Sequence, residues 1–187
     1  MSIVLEHEQL ARRIAEIGAQ VTRDYAGRSP ILIGVLKGSV LFMADLVRHI
    51  DLPVRVDFMS ISSYGSGSSG VVRILKDLDL AIEDEDVILI EDIIDTGLTV
   101  TYLMANLRAR RPRSLEVCAL LDKSARRIIE VPIRYKGFDI PDEFVIGYGL
   151  DYEGRYRNVS TIVGVGDLAT IADGPGPLAP YLPEGWT

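Results

Sequence analysis

Two short runs of branched apolar residues, Ile31-Leu32-Ile33-Gly34-Val35-Leu36 and Val87-Ile88-Leu89-Ile90, contain no polar side chain. A strand with one face in water alternates polar and apolar residues. An unbroken apolar run of this length belongs instead to a strand covered on both faces, as in a parallel sheet between layers of helices. Each run is followed by a stretch with helical patterning, Val40 to Ile50 after the first and about Leu98 to Arg110 after the second. Leu115 to Leu121 then reads as another apolar strand. Strand, helix and strand in that order make a βαβ unit, whose strands are parallel and whose crossover is right-handed. The expected fold class is therefore α/β, with a central, mainly parallel twisted sheet of about five strands flanked by helices.

The remaining chain fits this frame. Leu10, Ile14, Ile17 and Val21 recur at helical spacing, with Gly27 as a stop. Val54 to Ser62, Val71 to Leu75, Phe144 to Tyr148 and Thr161 to Val165 read as strands. The acids Asp77, Asp79, Glu83, Asp84, Glu85 and Asp86 read as a solvated turn region. A single domain is expected over residues 1–170, followed by a proline- and glycine-rich tail, 171–187, that contains Gly174-Pro175-Gly176-Pro177.

Composition excludes several classes of function. The formal net charge of −7 disfavours a surface for nucleic acid. Cys118 is the only cysteine, which rules out an intrachain disulfide or a cysteine-rich zinc site, and His7 and His49 are the only histidines. No apolar run approaches a membrane span, and the first residues do not pattern as a signal peptide. A cytoplasmic chain with no nucleic-acid and no membrane partner is expected.

The chemistry concentrates in Glu91-Asp92-Ile93-Ile94-Asp95-Thr96-Gly97-Leu98-Thr99. A buried strand delivers Glu91 and Asp92 to its C-terminal end, where open parallel sheets bind ligands. The turn from Asp95 to Thr99 opens a helix, so free backbone N–H groups and the helix dipole face any anion held there. Asp95 as a simple N-cap and Glu91-Asp92 as a solvated strand end account for each part singly. Together, three acids crowding an anion site make sense with a cation or a sugar between them. The Gly-Lys-Ser/Thr ending of a nucleoside-triphosphate loop is missing.

This segment resembles the phosphoribosyl pyrophosphate signature of the type I phosphoribosyltransferases. Over about Ile31 to Asn158 the chain is similar to the hypoxanthine and hypoxanthine-guanine branch of that family. The resemblance implies the type I fold, with a small hood formed by N-terminal residues and about 122–159. It also implies transfer of a phosphoribosyl group to a 6-oxopurine with Mg2+ as cofactor, in a homodimer or homotetramer serving purine salvage. Glu91 and Asp92 would engage the ribose hydroxyls, directly or through magnesium. Asp95 would be the acid/base near N7 of the purine, and Asp95, Thr96, Gly97, Leu98 and Thr99 would hold the 5′-phosphate. Leu36-Lys37-Gly38-Ser39 matches the pyrophosphate loop, with a cis peptide before Lys37; Ser39 stands where some relatives have a second glycine. Ser63-Tyr64 and the glycine-serine stretch after it match a mobile lid. Lys123 matches the lysine that reads the 6-oxygen. Phe144 matches the stacking aromatic, and Val145 the neighbour whose backbone reads the base edge. Asp151 matches a magnesium ligand and Arg157 a pyrophosphate contact. Read without the resemblance, Lys123 and Arg157 are surface cations and Phe144 is a core aromatic.

Overall fold

A computed structural model of the chain describes residues 1–64 and 71–172. In chain order the elements are β1 (Ser2–Leu5), α1 (His7–Asp24), β2 (Ile31–Leu36), α2 (Val40–Val47), β3 (Arg55–Tyr64), β4 (Val71–Lys76) and β5 (Asp86–Ile94). These are followed by α3 (Leu98–Arg108), β6 (Ser114–Asp122), β7 (Tyr135–Asp139), β8 (Phe144–Ile146), β9 (Ile162–Val165) and α4 (Ala169–Ala172). A single 3-10 turn, Ser124–Arg126, follows β6.

The main sheet has six strands in the order β4-β3-β2-β5-β6-β7. Every neighbouring pair is parallel except β3 and β4, which form an antiparallel arm at one edge. The unbroken apolar runs have a direct cause. Along β2, Leu32 packs on one face with Leu10 and Ile14 of α1 and Phe42 of α2, while Ile31 and Ile33 pack on the other with Val100 and Leu103 of α3. Along β5, Ile88 and Ile90 join the first core, and Val87 and Leu89 the second. Successive side chains enter opposite cores, so neither parity can be polar. Each full burial of an Ile or Leu is worth about 1.5–3 kcal/mol.

α1 buries Leu10, Ile14, Ile17 and Val21, the periodic set read from the sequence, and starts with a capping box between Glu6 and Gln9. His7 and His49 are exposed. Asp86 differs from expectation. It is buried at the start of β5, accepts a hydrogen bond from Ser114, and pairs with Arg28 and Arg113. The first residue of a central parallel strand stands between neighbouring strands, so Asp86 is not part of a solvated turn.

A second sheet, β1-β9-β8, is antiparallel throughout. The resemblance implies a hood of N-terminal residues and about 122–159, and this sheet takes β1 and β8 from those segments. β9 closes it between β1 and β8 although it lies beyond residue 159, whereas β7, inside 122–159, is the parallel edge strand next to β6. Ile171 of α4 is buried against Ile146, Tyr156 and Val163, so packed chain continues past residue 170. The tail from residue 173 lies outside the described residues. Among the described residues no helix is long and apolar enough to cross a membrane.

Candidate active site

The C-terminal ends of β2 and β5 lie side by side in the parallel sheet, and each ends in a loop that carries polar groups. β5 is longer than its apolar run. It pairs with β6 through Ile93↔Leu121 and Ile94↔Asp122, so Glu91 and Asp92 sit within the strand and not beyond its end. Ladder bonds use backbone alone, which lets the strand continue through acidic residues. The turn Asp95-Thr96-Gly97 then opens α3. Gly97 has φ 85°, and a Cβ there would stand 2.3 Å from the carbonyl oxygen of Ile129. Only glycine fits a left-handed residue so close to a neighbouring backbone. The carbonyl of Thr96 accepts the N–H groups of Ile128 and Ile129, which braces the turn from outside.

On the β2 side, the Leu36–Lys37 peptide is cis, in agreement with the resemblance. A Cβ on Gly38 would lie 1.5 Å from Oδ2 of Asp92, so the absence of a side chain lets the loop after β2 close on strand β5. Ser39, the departure from the family pattern, is buried and donates its hydroxyl to the carbonyl of Val35 at 2.7 Å. Arg157 Nη2 lies 2.7 Å from Asp151 Oδ1, and its Nη1 donates to the carbonyl of Gly149 at 2.6 Å.

These pieces enclose a cavity of about 330 Å³. It gathers Lys37 and Gly38 from one loop, Glu91 and Asp92 from β5, and Asp95, Thr96, Gly97 and Thr99 from the turn, with Asp151 and Arg157 from the segment after β8. Leu98 is the exception among the expected phosphate residues. Its side chain is exposed, and its N–H meets Thr96 Oγ1 at 3.4 Å. Ser63 and Tyr64 do not open a loop: they complete β3, where their backbones pair with Val72 and Val71. Ile61, on the same strand, lines the cavity. Residues 65–70 of the expected lid lie outside the described residues.

The carboxyls are crowded. Burial first, and then the charge of Asp92, raise the Glu91 carboxyl well above its ordinary value, and Glu91 Oε1 has no hydrogen-bond partner. Burial also pushes Asp92 up to about 6, against hydrogen bonding from the Ile93 N–H and attraction to Arg157, while Asp151 repels it. Buried, mutually repelling carboxyls with an orphaned oxygen suit ligands that bring hydroxyl donors or a hard cation. Magnesium fits this donor set. It takes one or two carboxylates together with substrate phosphates and retained waters, not an all-protein cage. Among the described residues no group of three or more His, Cys, Asp or Glu is arranged as such a cage.

A second cavity of about 300 Å³ adjoins the first and shares Ile93, Asp95 and Asp151 with it. Its other walls are Lys123, Arg126, Phe144, Val145 and Leu150. Lys123 is buried, contrary to its reading as a surface cation, because its N–H donates to the Ile94 carbonyl and carries the chain inward past the end of β5. Phe144 is 38% exposed and meets the Tyr152 ring edge-on at 6.2 Å, so it is a wall of the cavity more than a core aromatic. Sequence reading missed Ile93 and Arg126. Ile93 carries the same signal as any core isoleucine, and Arg126, next to Arg127, has no local signal at all.

The family model for the phosphoribosyl transferase domain matches residues 1–153. The hypoxanthine-guanine phosphoribosyltransferase of Mycobacterium tuberculosis is 53% identical over 169 residues, spanning 86% of this chain and 84% of that protein. Its counterpart in Bacillus subtilis is 46% identical over 162 residues, spanning 86% and 90%. Among solved structures, a hypoxanthine phosphoribosyltransferase from Staphylococcus aureus superposes with a TM-score of 0.86 at 44% identity, covering 91% of this chain and 94% of that one.

Proposed function

The chain belongs to the phosphoribosyl transferase family, and on that premise we propose that it is a purine-salvage enzyme of the hypoxanthine-guanine type. It transfers the 5-phosphoribosyl group of phosphoribosyl pyrophosphate to hypoxanthine or guanine, forming IMP or GMP and releasing pyrophosphate. The observation that carries this reading is the pair of adjoining cavities with Asp95 and Asp151 on their border. The first cavity, with its amide-lined turn, acids and cations, suits a sugar carrying phosphates. The second, with an aromatic wall and a buried lysine, suits a flat base.

The residue roles follow from these positions. The Asp95–Thr99 turn holds the 5′-phosphate through its N–H groups and the hydroxyls of Thr96 and Thr99, with Leu98 contributing backbone only. Glu91 and Asp92 face the ribose hydroxyls. Lys37 and Arg157 stand where pyrophosphate departs, so their charge is placed before the leaving group's negative charge grows. Asp95, on the border, handles the proton of the base ring. Lys123 donates to a 6-oxo group, and a 6-amino group would leave its buried ammonium facing another donor, which favours oxopurines over adenine. Phe144 stacks on the base, and Val145 meets its edge.

Magnesium would be held by Asp151 and the Glu91-Asp92 pair together with phosphate oxygens, and would supply neutralisation of the departing pyrophosphate. Asp151 also shares a charge with Arg157, so the same contact that orients the arginine presents the carboxylate to the cavity. A cytoplasmic enzyme, in keeping with the composition, and a homodimer or homotetramer, as the family resemblance implies, complete the proposal, and analytical ultracentrifugation distinguishes the two assemblies. Incubation with phosphoribosyl pyrophosphate, Mg2+ and each purine in turn tests the assignment. IMP and GMP are expected, with little AMP; no nucleotide from any 6-oxopurine would overturn it.

A further inference from the structure

One wall of the base cavity, Arg126, has no part in the roles assigned above. It ends the 3-10 turn Ser124–Arg126, and its half-exposed side chain reaches two carboxylates. Nη1 lies 3.3 Å from Asp95 Oδ2, and Nε lies 3.3 Å from Asp142 Oδ1. Asp95 belongs to the turn after β5, and Asp142 stands just before β8, the strand that carries Phe144 and Val145. One guanidinium therefore ties the phosphate turn to the strand that receives the base. The other oxygen of Asp95, Oδ1, is buried and has no hydrogen-bond partner. A carboxylate with one oxygen occupied by a charged donor and the other shielded but unused is set up to accept from a ligand.

We infer that Arg126, anchored by Asp142, is a positioning residue for Asp95: it occupies Oδ2, restricts rotation of the carboxylate, and leaves Oδ1 for the ring N–H of the base. This rests on the reading of Asp95 as the acid/base of phosphoribosyl transfer. Arg126 acts through Asp95 and takes no proton itself. The planar guanidinium suits the task, since its fixed fork of donors spans two acids without rotating between them. The gain lies in orientation, where a small displacement of an acid/base group is felt strongly in turnover.

Steady-state kinetics of the full chain test this. Arg126→Gln is expected to lower kcat by about tenfold or more, with KM for phosphoribosyl pyrophosphate within about twofold of wild type. Arg126→Lys, which keeps the charge but not the fork, should recover part of the loss. Asp142→Asn should lower kcat in the same direction by less. In an Asp95→Asn background, Arg126→Gln should cause no further loss. Wild-type kcat in Arg126→Gln, a defect confined to KM, or an equal fractional loss in the Asp95→Asn background would each overturn the inference. Should Arg126→Gln melt far below wild type, Asp142→Asn decides, and unchanged kcat there overturns it. Failure of the wild type to make any nucleotide would instead sink the assignment of function, which keeps the two failures apart.

Discussion

Asp95 is reached from both cavities, with one oxygen engaged by Arg126 and the other buried and unpartnered. Acid/base help of this kind is worth about 10²–10⁴-fold, so Asp95→Asn should lower kcat on that scale while KM for phosphoribosyl pyrophosphate changes little. Rapid-quench measurement of nucleotide formation checks it, and near-normal turnover would remove the role. Lys123→Ala removes the donor proposed to meet the 6-oxygen. Its effect should appear as lost discrimination when hypoxanthine and adenine compete; an unchanged ratio of products would disprove that contact. At this scale the sequence is most legible where the candidate site is contiguous: Glu91, Asp92 and Asp95 to Thr99 lie on one strand and the turn after it. Lys37, Asp151 and Arg157 were placed through the resemblance, since no local pattern shows that three distant segments share a cavity. Arg126 meets Asp95 across 31 residues of chain, a contact set by tertiary folding alone.

The segment after β6 holds the Asp95–Thr99 turn in place, and a buried ion pair fixes that segment. Asp122, at the end of β6, pairs with Arg127, each side chain 7% exposed, and also receives Lys136 Nζ at 3.3 Å. Arg127 lies against the turn as well, its Cδ 3.2 Å from where a Cβ of Gly97 would stand. Removing one partner strands a buried charge, which costs about 3–5 kcal/mol, so Asp122→Ala should lose stability on that order in urea unfolding with an unchanged m-value. A loss near zero would show that water reaches Arg127. Gly97→Ala acts on the turn itself, where positive φ and the Ile129 carbonyl both oppose a side chain. Its signature should be a raised KM for phosphoribosyl pyrophosphate; an unchanged KM would release the turn from phosphate binding. Element by element, legibility followed burial. β2 and β5 announce themselves because both faces are covered, whereas β7 buries only Tyr135 and β1 only Leu5, leaving no periodic pattern to read. The pairing of β9 with β1 has no sequence signal for a related reason, since it joins residues from opposite ends of the described chain.

At the scale of the whole molecule, the helices on either face of the main sheet must stay docked for the cavities at its strand ends to keep their shape. α1 is secured at its C-terminal end to the far edge of the sheet. Asp24 Oδ2 accepts a hydrogen bond from Arg134 Nη2 at 3.0 Å and from the Tyr135 hydroxyl, at the start of β7, at 2.9 Å. Hydrogen bonding by Arg134, and next by Tyr135, holds the Asp24 carboxyl below its ordinary value in spite of some desolvation. The folded state thus binds the Asp24 proton less readily than the unfolded chain does. The resulting stabilisation is complete above the unfolded value of about 4 and disappears as pH falls through the lower folded value. Asp24→Asn keeps the shape but not the charge. It should melt below wild type at neutral pH, and the difference should shrink as both are taken from about pH 5 towards pH 3. Added salt at neutral pH should narrow the same difference, because the Arg134 contact is open to solvent. A difference that persists undiminished at low pH would mean that α1 is held to β7 by packing, with the charge of Asp24 incidental.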